Sequence, residues 1–115
     1  MKKFLGEALQ MTDFPVVRPT NSYLIYVNLI EYQGDVNHLK EYVSQNRIFE
    51  SWWSYTPGIF FITSKSTTDE ISDTMFRFLG GGIDYFAAKI DPHRIAGRLT
   101  PGAWDAFDKD IRDRL

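Results

Sequence analysis

The run Ser22-Tyr23-Leu24-Ile25-Tyr26-Val27-Asn28-Leu29-Ile30 carries apolar or aromatic groups on both faces of an extended chain. In strand geometry Tyr23, Ile25, Val27 and Leu29 point one way and Leu24, Tyr26, Asn28 and Ile30 the other, so the run reads as a central strand covered on both sides. Asn28 is its one fully polar side chain after Ser22. It stands near the C-terminal end, where a first strand delivers a functional group to the rim of a sheet, and is the candidate cleft residue.

Downstream of this strand, Glu31 to Gly34 is a loop, and Asp35 caps a helix over residues 36–45 with Val36, Leu39 and Val43 on one face. His38 lies beside that face. The runs Ile48 to Tyr55 and Ile59 to Thr63 flank Thr56-Pro57-Gly58, and Pro followed by Gly supplies the dihedrals of a type II turn, predicting a hairpin. Thr67 and Glu70 have capping-box spacing ahead of the stripe Ile71, Met75, Phe78 and Leu79. Gly80-Gly81-Gly82 ends that helix; with no strand-to-helix context and no following Lys-Ser/Thr, it is not a phosphate loop. Tyr85 to Ile90 is a fourth strand, stopped by Asp91-Pro92. Arg94 to Leu99 is expected as a fifth, edge strand weakened by Gly97. Thr100 as N-cap and Pro101 at the first helical position then open a last helix with the stripe Trp104, Phe107, Ile111 and Leu115 and with Asp105, Asp108, Asp110 and Arg112 opposite. Upstream, residues 1–21 form an extension in which Phe4, Leu5, Ala8, Leu9 and Met11 make one helical stripe that Pro15 and Pro19 stop.

The order strand, helix, strand, strand, helix, strand predicts an α+β fold, a ferredoxin-like βαββαβ sandwich over residues 22–115, with the N-terminal extension, the fifth edge strand and the C-terminal helix added. Both helices of such a sandwich lie on one face of the sheet. The other face needs a cover, which the aromatic hairpin assigns to a second subunit, the C-terminal segment, or both.

Composition bounds the function. A chain of 115 residues is one domain by length, and a net charge of -2 gives no whole-molecule positive field to draw in nucleic acid or an anionic membrane. The absence of cysteine excludes disulfides, thiolate nucleophiles and cysteine metal cages, and suits a cytoplasmic protein. No apolar run approaches the roughly 18 to 20 residues of a membrane span, and Gly6, Glu7 and Gln10 interrupt any signal-peptide core after Met1-Lys2-Lys3. An aromatic share of 16% fits either a Phe- and Tyr-rich core or a surface that a partner covers.

In sequence order, Ser22-Tyr23-Leu24-Ile25 leading to Asn28-Leu29, the Trp52-Trp53 pair before Ile59-Phe60-Phe61-Ile62-Thr63-Ser64, the helix opening Asp69-Glu70-Ile71 and the late Trp104 resemble the SinR-like family of small bacterial proteins, which share the ferredoxin-like fold of the CRISPR-associated Cas-two proteins. The resemblance covers about residues 22–115. It implies a homodimer whose two sheets face each other. In the nuclease-like members of the wider group an aspartate at the end of the first strand, usually after Tyr, binds a divalent metal between subunits, and here Val27-Asn28 stands in that place. An amide oxygen brings no charge to a hard cation, which is held chiefly by carboxylates. The function expected is therefore a non-catalytic dimeric interaction module binding a protein or nucleic-acid partner, with a metal-dependent nuclease and a small-molecule binding domain as alternatives.

The residues themselves offer little hydrolytic chemistry, which needs a nucleophile or metal-bound water with an acid-base group. Asn28 with Asp35 or Glu31 is the candidate, against the simpler role of a strand-end amide bonding backbone. His38 and His93 lack ligand spacing, no nucleophile elbow or Walker loop is present, and no cofactor is implied. Lys89, Arg94 and Arg98, with His93 and Tyr85 nearby, are the candidate polyanion-binding residues. Trp52, Trp53, Phe61 and Tyr85 are the candidate interface residues, since adjacent tryptophans in a strand face opposite ways and one becomes an interface anchor. Trp53, Phe61 and Tyr85 form the candidate aromatic pocket of the small-molecule alternative.

Overall fold

Asn21–Val27 is strand β1 in the computed structural model, which describes residues 18–115. With β2 (Ser51–Trp53), β3 (Ile59–Ser64) and β4 (Tyr85–Ile90) it forms one sheet of order β2-β3-β1-β4, antiparallel at every pairing. β1 is an inner strand, as its two apolar faces require. Helices α1 (Val36–Gln45) and α2 (Thr68–Leu79) pack on the inner face of the sheet. Tyr23, Ile25 and Val27 of β1 meet Phe60 and Ile62 of β3 there, beneath Leu39 and Val43 of α1 and Ile71, Met75 and Leu79 of α2. All of these are buried, so hydrophobic burial between sheet and helices is the main stabilising term.

Local chemistry fixes the boundaries. Asp35 caps α1 by accepting the Asn37 N–H at 2.8 Å. Thr67 and Glu70 form a complete capping box at α2, Thr67 Oγ1 accepting the Glu70 N–H and Glu70 Oε1 accepting the Thr67 N–H. The hairpin turn closes through the Ile59 N–H and the Thr56 carbonyl at 3.1 Å, with Gly58 at φ +85°. A side chain is excluded at Gly58, because a Cβ would lie 2.8 Å from the Val27 carbonyl oxygen.

Three expectations are corrected. Only Ser51–Trp53 of the run Ile48 to Tyr55 pairs with β3, because Asn46 turns the chain first, its side chain accepting the Ile48 N–H and its carbonyl the Phe49 N–H. No fifth strand forms over Arg94 to Leu99: Pro92–Arg94 is a 3-10 turn capped by Asp91, and residues 95–100 run without strand pairing. The bend turns the chain away from β4, and the Arg112 guanidinium takes the Pro92 and Ile95 carbonyls at 2.8 and 3.0 Å. Thr100 does not cap the last helix. Thr100-Pro101-Gly102 is a turn closed by the Ala103 N–H on the Thr100 carbonyl, Gly102 lies at φ +88°, and helix α3 spans Ala103–Asp110. A 3-10 turn over Arg112–Arg114 follows, so the buried stripe ends at Ile111 and Leu115 is exposed.

The helical stripe expected at Phe4 to Met11 and its stop at Pro15 lie outside the described residues. Arg18 pairs with Glu70 at 2.9 Å, and the Thr20 hydroxyl donates to Glu50 at 3.1 Å, tying the approach to β1 onto the domain. Among the described residues no helix is long and apolar enough to cross a membrane.

Candidate functional site

The outer face of the sheet is divided between a covered half and an open one. Over β2 and β3 lies α3, anchored by Phe107, which is 0% exposed. Its ring meets Phe61 at 5.1 Å and Trp53 at 5.5 Å, both edge-on, and Trp104 at 5.7 Å. Edge-to-face geometry at these separations is the favoured arrangement of aromatic quadrupoles. The Arg112 guanidinium covers this cluster, 5.0 Å from the Phe107 ring and 5.3 Å from the Trp104 ring.

Residues 95–99 cross in front of the cluster as a strap pinned at both ends. Arg112 holds the Ile95 carbonyl, and the Tyr55 hydroxyl shares hydrogen bonds with the Thr100 hydroxyl at 3.0 Å and its N–H at 3.3 Å. The Thr100 contacts, the hydroxyl first, hold the Tyr55 phenol below its usual pKa. Between strap and sheet is a half-open cavity of about 310 Å³ lined chiefly by Leu24, Trp53, Ile59, Phe61, Leu99 and Trp104. Its one charged lining residue is Arg98, which is exposed and has no carboxylate at ion-pair distance among the described residues.

Among the described residues no helix or strap covers the β1–β4 half. Tyr26 and Phe86 face each other across the two strands with ring centroids 5.3 Å apart, and Phe86 is 52% exposed. Leu24 and Ala88 continue the strip, and Ile30, just beyond β1, is 89% exposed.

The sequence-derived candidates fall on different parts of this frame. Asn28 is occupied locally: its side-chain oxygen accepts the Ile30 N–H at 3.0 Å, and its backbone N–H donates to the Asp84 carbonyl at 2.9 Å. Glu31 accepts the Asp84 N–H, and Asp35 is the α1 cap. Among the described residues no group of three or more His, Asp or Glu side chains is placed to hold a metal. Trp52 and Trp53 do split between faces, Trp52 packing near Phe60 and Trp53 near Phe61 and Phe107. Phe61 and Trp53 are half-buried under the chain's own α3. Tyr85 points to the inner face, where its hydroxyl donates to the Ser72 carbonyl at 3.1 Å. The aromatic pocket expected from Trp53, Phe61 and Tyr85 is therefore corrected: strand alternation puts Tyr85 on the far side of the sheet, and Leu24, Ile59, Leu99 and Trp104 complete the lining.

The basic candidates do not form one surface. Lys89 sits on the inner-face rim near Arg18, Lys65 and the start of α2, whereas Arg98 lines the outer-face cavity. Arg94 is exposed and pairs with Asp91 at 3.5 Å. His38 and His93 are both exposed.

Sequence reasoning missed two features. Phe86 is the out-of-phase member of β4, and the phase of that strand relative to Tyr85 and Ala87 was the signal that marks it as outward. Arg112 read as one more charge on the polar side of the expected last helix, and nothing in its spacing announces two carbonyl acceptors in a distant loop. Compared with known proteins, the chain matches no family model, no curated protein and no solved structure.

Proposed function

We propose that the chain is a non-catalytic interaction module that pairs with a second copy of itself through the open half of its outer sheet face, in the Cas-two-like manner that its sequence resembles. The observation that carries this reading is Phe86, 52% exposed beside the half-buried Tyr26 ring on a sheet whose other half is already covered. Exposed apolar groups at one end of a sheet face, here Phe86 and Ile30, mark association surfaces. The strand order, read as β4-β1-β3-β2 with α1 and α2 on one face, supports the ferredoxin-like assignment. The capture of Asn28, Glu31 and Asp35 by backbone N–H groups supports the absence of catalysis. Association through apolar groups is favoured over polyanion binding by the separation of Lys89 from Arg98.

The strip is about two strands wide and six residues long, roughly 10 by 20 Å, or about a quarter of the ~800 Å² that each partner of a stable pair contributes. Pairing is thus expected to be weak and to recruit the Ile30 loop. Sedimentation velocity over a wide concentration range should show a monomer–dimer equilibrium. Phe86→Ser should raise its dissociation constant at least about tenfold, the loss of a central aromatic anchor. A chain that stays monomeric at the highest concentration, or a dimer indifferent to Phe86→Ser, overturns the proposal.

A further inference from the structure

The cavity under the strap has the properties of a preformed ligand site and does not rest on the dimer reading. Its volume of about 310 Å³ lies at the lower end of the ~300–1,000 Å³ range of small-molecule pockets. The walls are aromatic and aliphatic, with Trp53 and Phe61 on the sheet side and Leu99 and Trp104 on the other. Anchoring at Ile95 and Thr100 fixes the strap through the chain's own hydrogen bonds, so little ordering entropy opposes binding. At the lining the exposed Arg98 offers a guanidinium with no carboxylate partner among the described residues. Arg is suited to bidentate recognition of a carboxylate or sulfonate.

We propose that this cavity binds a small molecule with a flat apolar body and one anionic group, the body between Trp53 and Trp104 and the anion on Arg98. Charge complementarity selects the anion, and the cavity size limits the body to about two or three fused or linked rings. A second copy of the chain is the competing occupant, and the test separates the two.

The probe is 1-anilinonaphthalene-8-sulfonate, with N-phenyl-1-naphthylamine as the same aromatic body without the charge. Both are titrated against the intact chain, with energy transfer from tryptophan as readout. The expected result is saturable binding of one sulfonate per chain. Arg98→Gln should weaken it about fivefold to tenfold, the effect of one charge-assisted contact near the surface, and leave the uncharged dye unchanged. Phe86→Ser, which alters only the open strip, should leave both dyes unchanged. Absence of saturable binding, or sulfonate binding indifferent to Arg98→Gln, overturns the proposal. Loss of binding in Phe86→Ser also overturns it, placing the dye on the sheet strip and leaving that surface to a second copy. Because the dimer is read by sedimentation and the ligand by energy transfer, either can fail alone.

Discussion

Replacing Arg112 by Lys tests the account of how the strap and α3 are held on the sheet. The Arg112 side chain is 23% exposed and donates in three directions: Nε to the Pro92 carbonyl at 2.8 Å, Nη2 to the Ile95 carbonyl at 3.0 Å and Nη1 to Asp108 at 2.8 Å. It also lies over Phe107 and Trp104. Hydrogen bonds from a charged donor contribute roughly 1.5–3 kcal/mol each. A lysine keeps the charge and most of the stem but reaches at most one of the two carbonyls, so Arg112→Lys should cost about 1.5–3 kcal/mol. Asp108, 42% exposed, is a surface partner, and Asp108→Asn should cost about 0.5 kcal/mol or less. Urea unfolding followed by circular dichroism measures both, and amide exchange at Thr100, whose N–H donates to the Tyr55 hydroxyl at the end of the strap, should accelerate in the lysine variant only. If Arg112→Lys falls within about 0.5 kcal/mol of the parent, the carbonyl clamp is not what holds the strap.

Two further outcomes follow from the local geometry. The Glu70 carboxyl is held below the usual range first by the Thr67 N–H and then by Arg18, so its contribution is complete above the unfolded pKa and is lost as pH falls through the lower folded value. Glu70→Gln should therefore lower the thermal midpoint near neutral pH, with the difference narrowing below about pH 4.3; a pH-independent difference contradicts this. Gly58→Ala should destabilise by about 1–3 kcal/mol, since φ is +85° and the added carbon meets the Val27 carbonyl, whereas Gly97→Ala, with nothing within 4 Å of its Cβ, should stay within about 0.5 kcal/mol. Chemical denaturation of the two variants side by side checks it.

Much of the fold was legible because its signals are local. Asp35, Thr67 with Glu70, and Pro57-Gly58 act through atoms two to four residues away, and α1, α2 and β3 are found where the spacing puts them. The stripe Ile71, Met75 and Leu79 needs only helical periodicity to be placed in the core. Arg94 to Leu99 was misread because Ile95 is indeed extended, but its carbonyl partner is the Arg112 side chain from the turn after α3 and not a neighbouring strand. Thr100 has the composition of a cap, yet Tyr55 from the hairpin claims its hydroxyl. The candidate sites were less legible, because a site is defined by which groups meet. Lys89 and Arg98 are nine residues apart in the chain and on opposite sides of the sheet, while Leu24 and Trp104 share a cavity wall across the whole domain.

The amino-acid sequence by itself determined the α+β class, the order of the first four strands and two helices, the central position of β1, the split of Trp52 from Trp53 and the engagement of α3 with the body, since alternation, helical stripes and caps are short-range physics. Only the tertiary structure decided that α3 covers half of the outer face and leaves Phe86 exposed beside Tyr26, that the strap is pinned by Arg112 and Tyr55, and that an apolar cavity lies beneath it beside Arg98. The reason is that burial and partnership belong to pairs of residues distant in sequence, and no local pattern encodes which apolar face finds a cover.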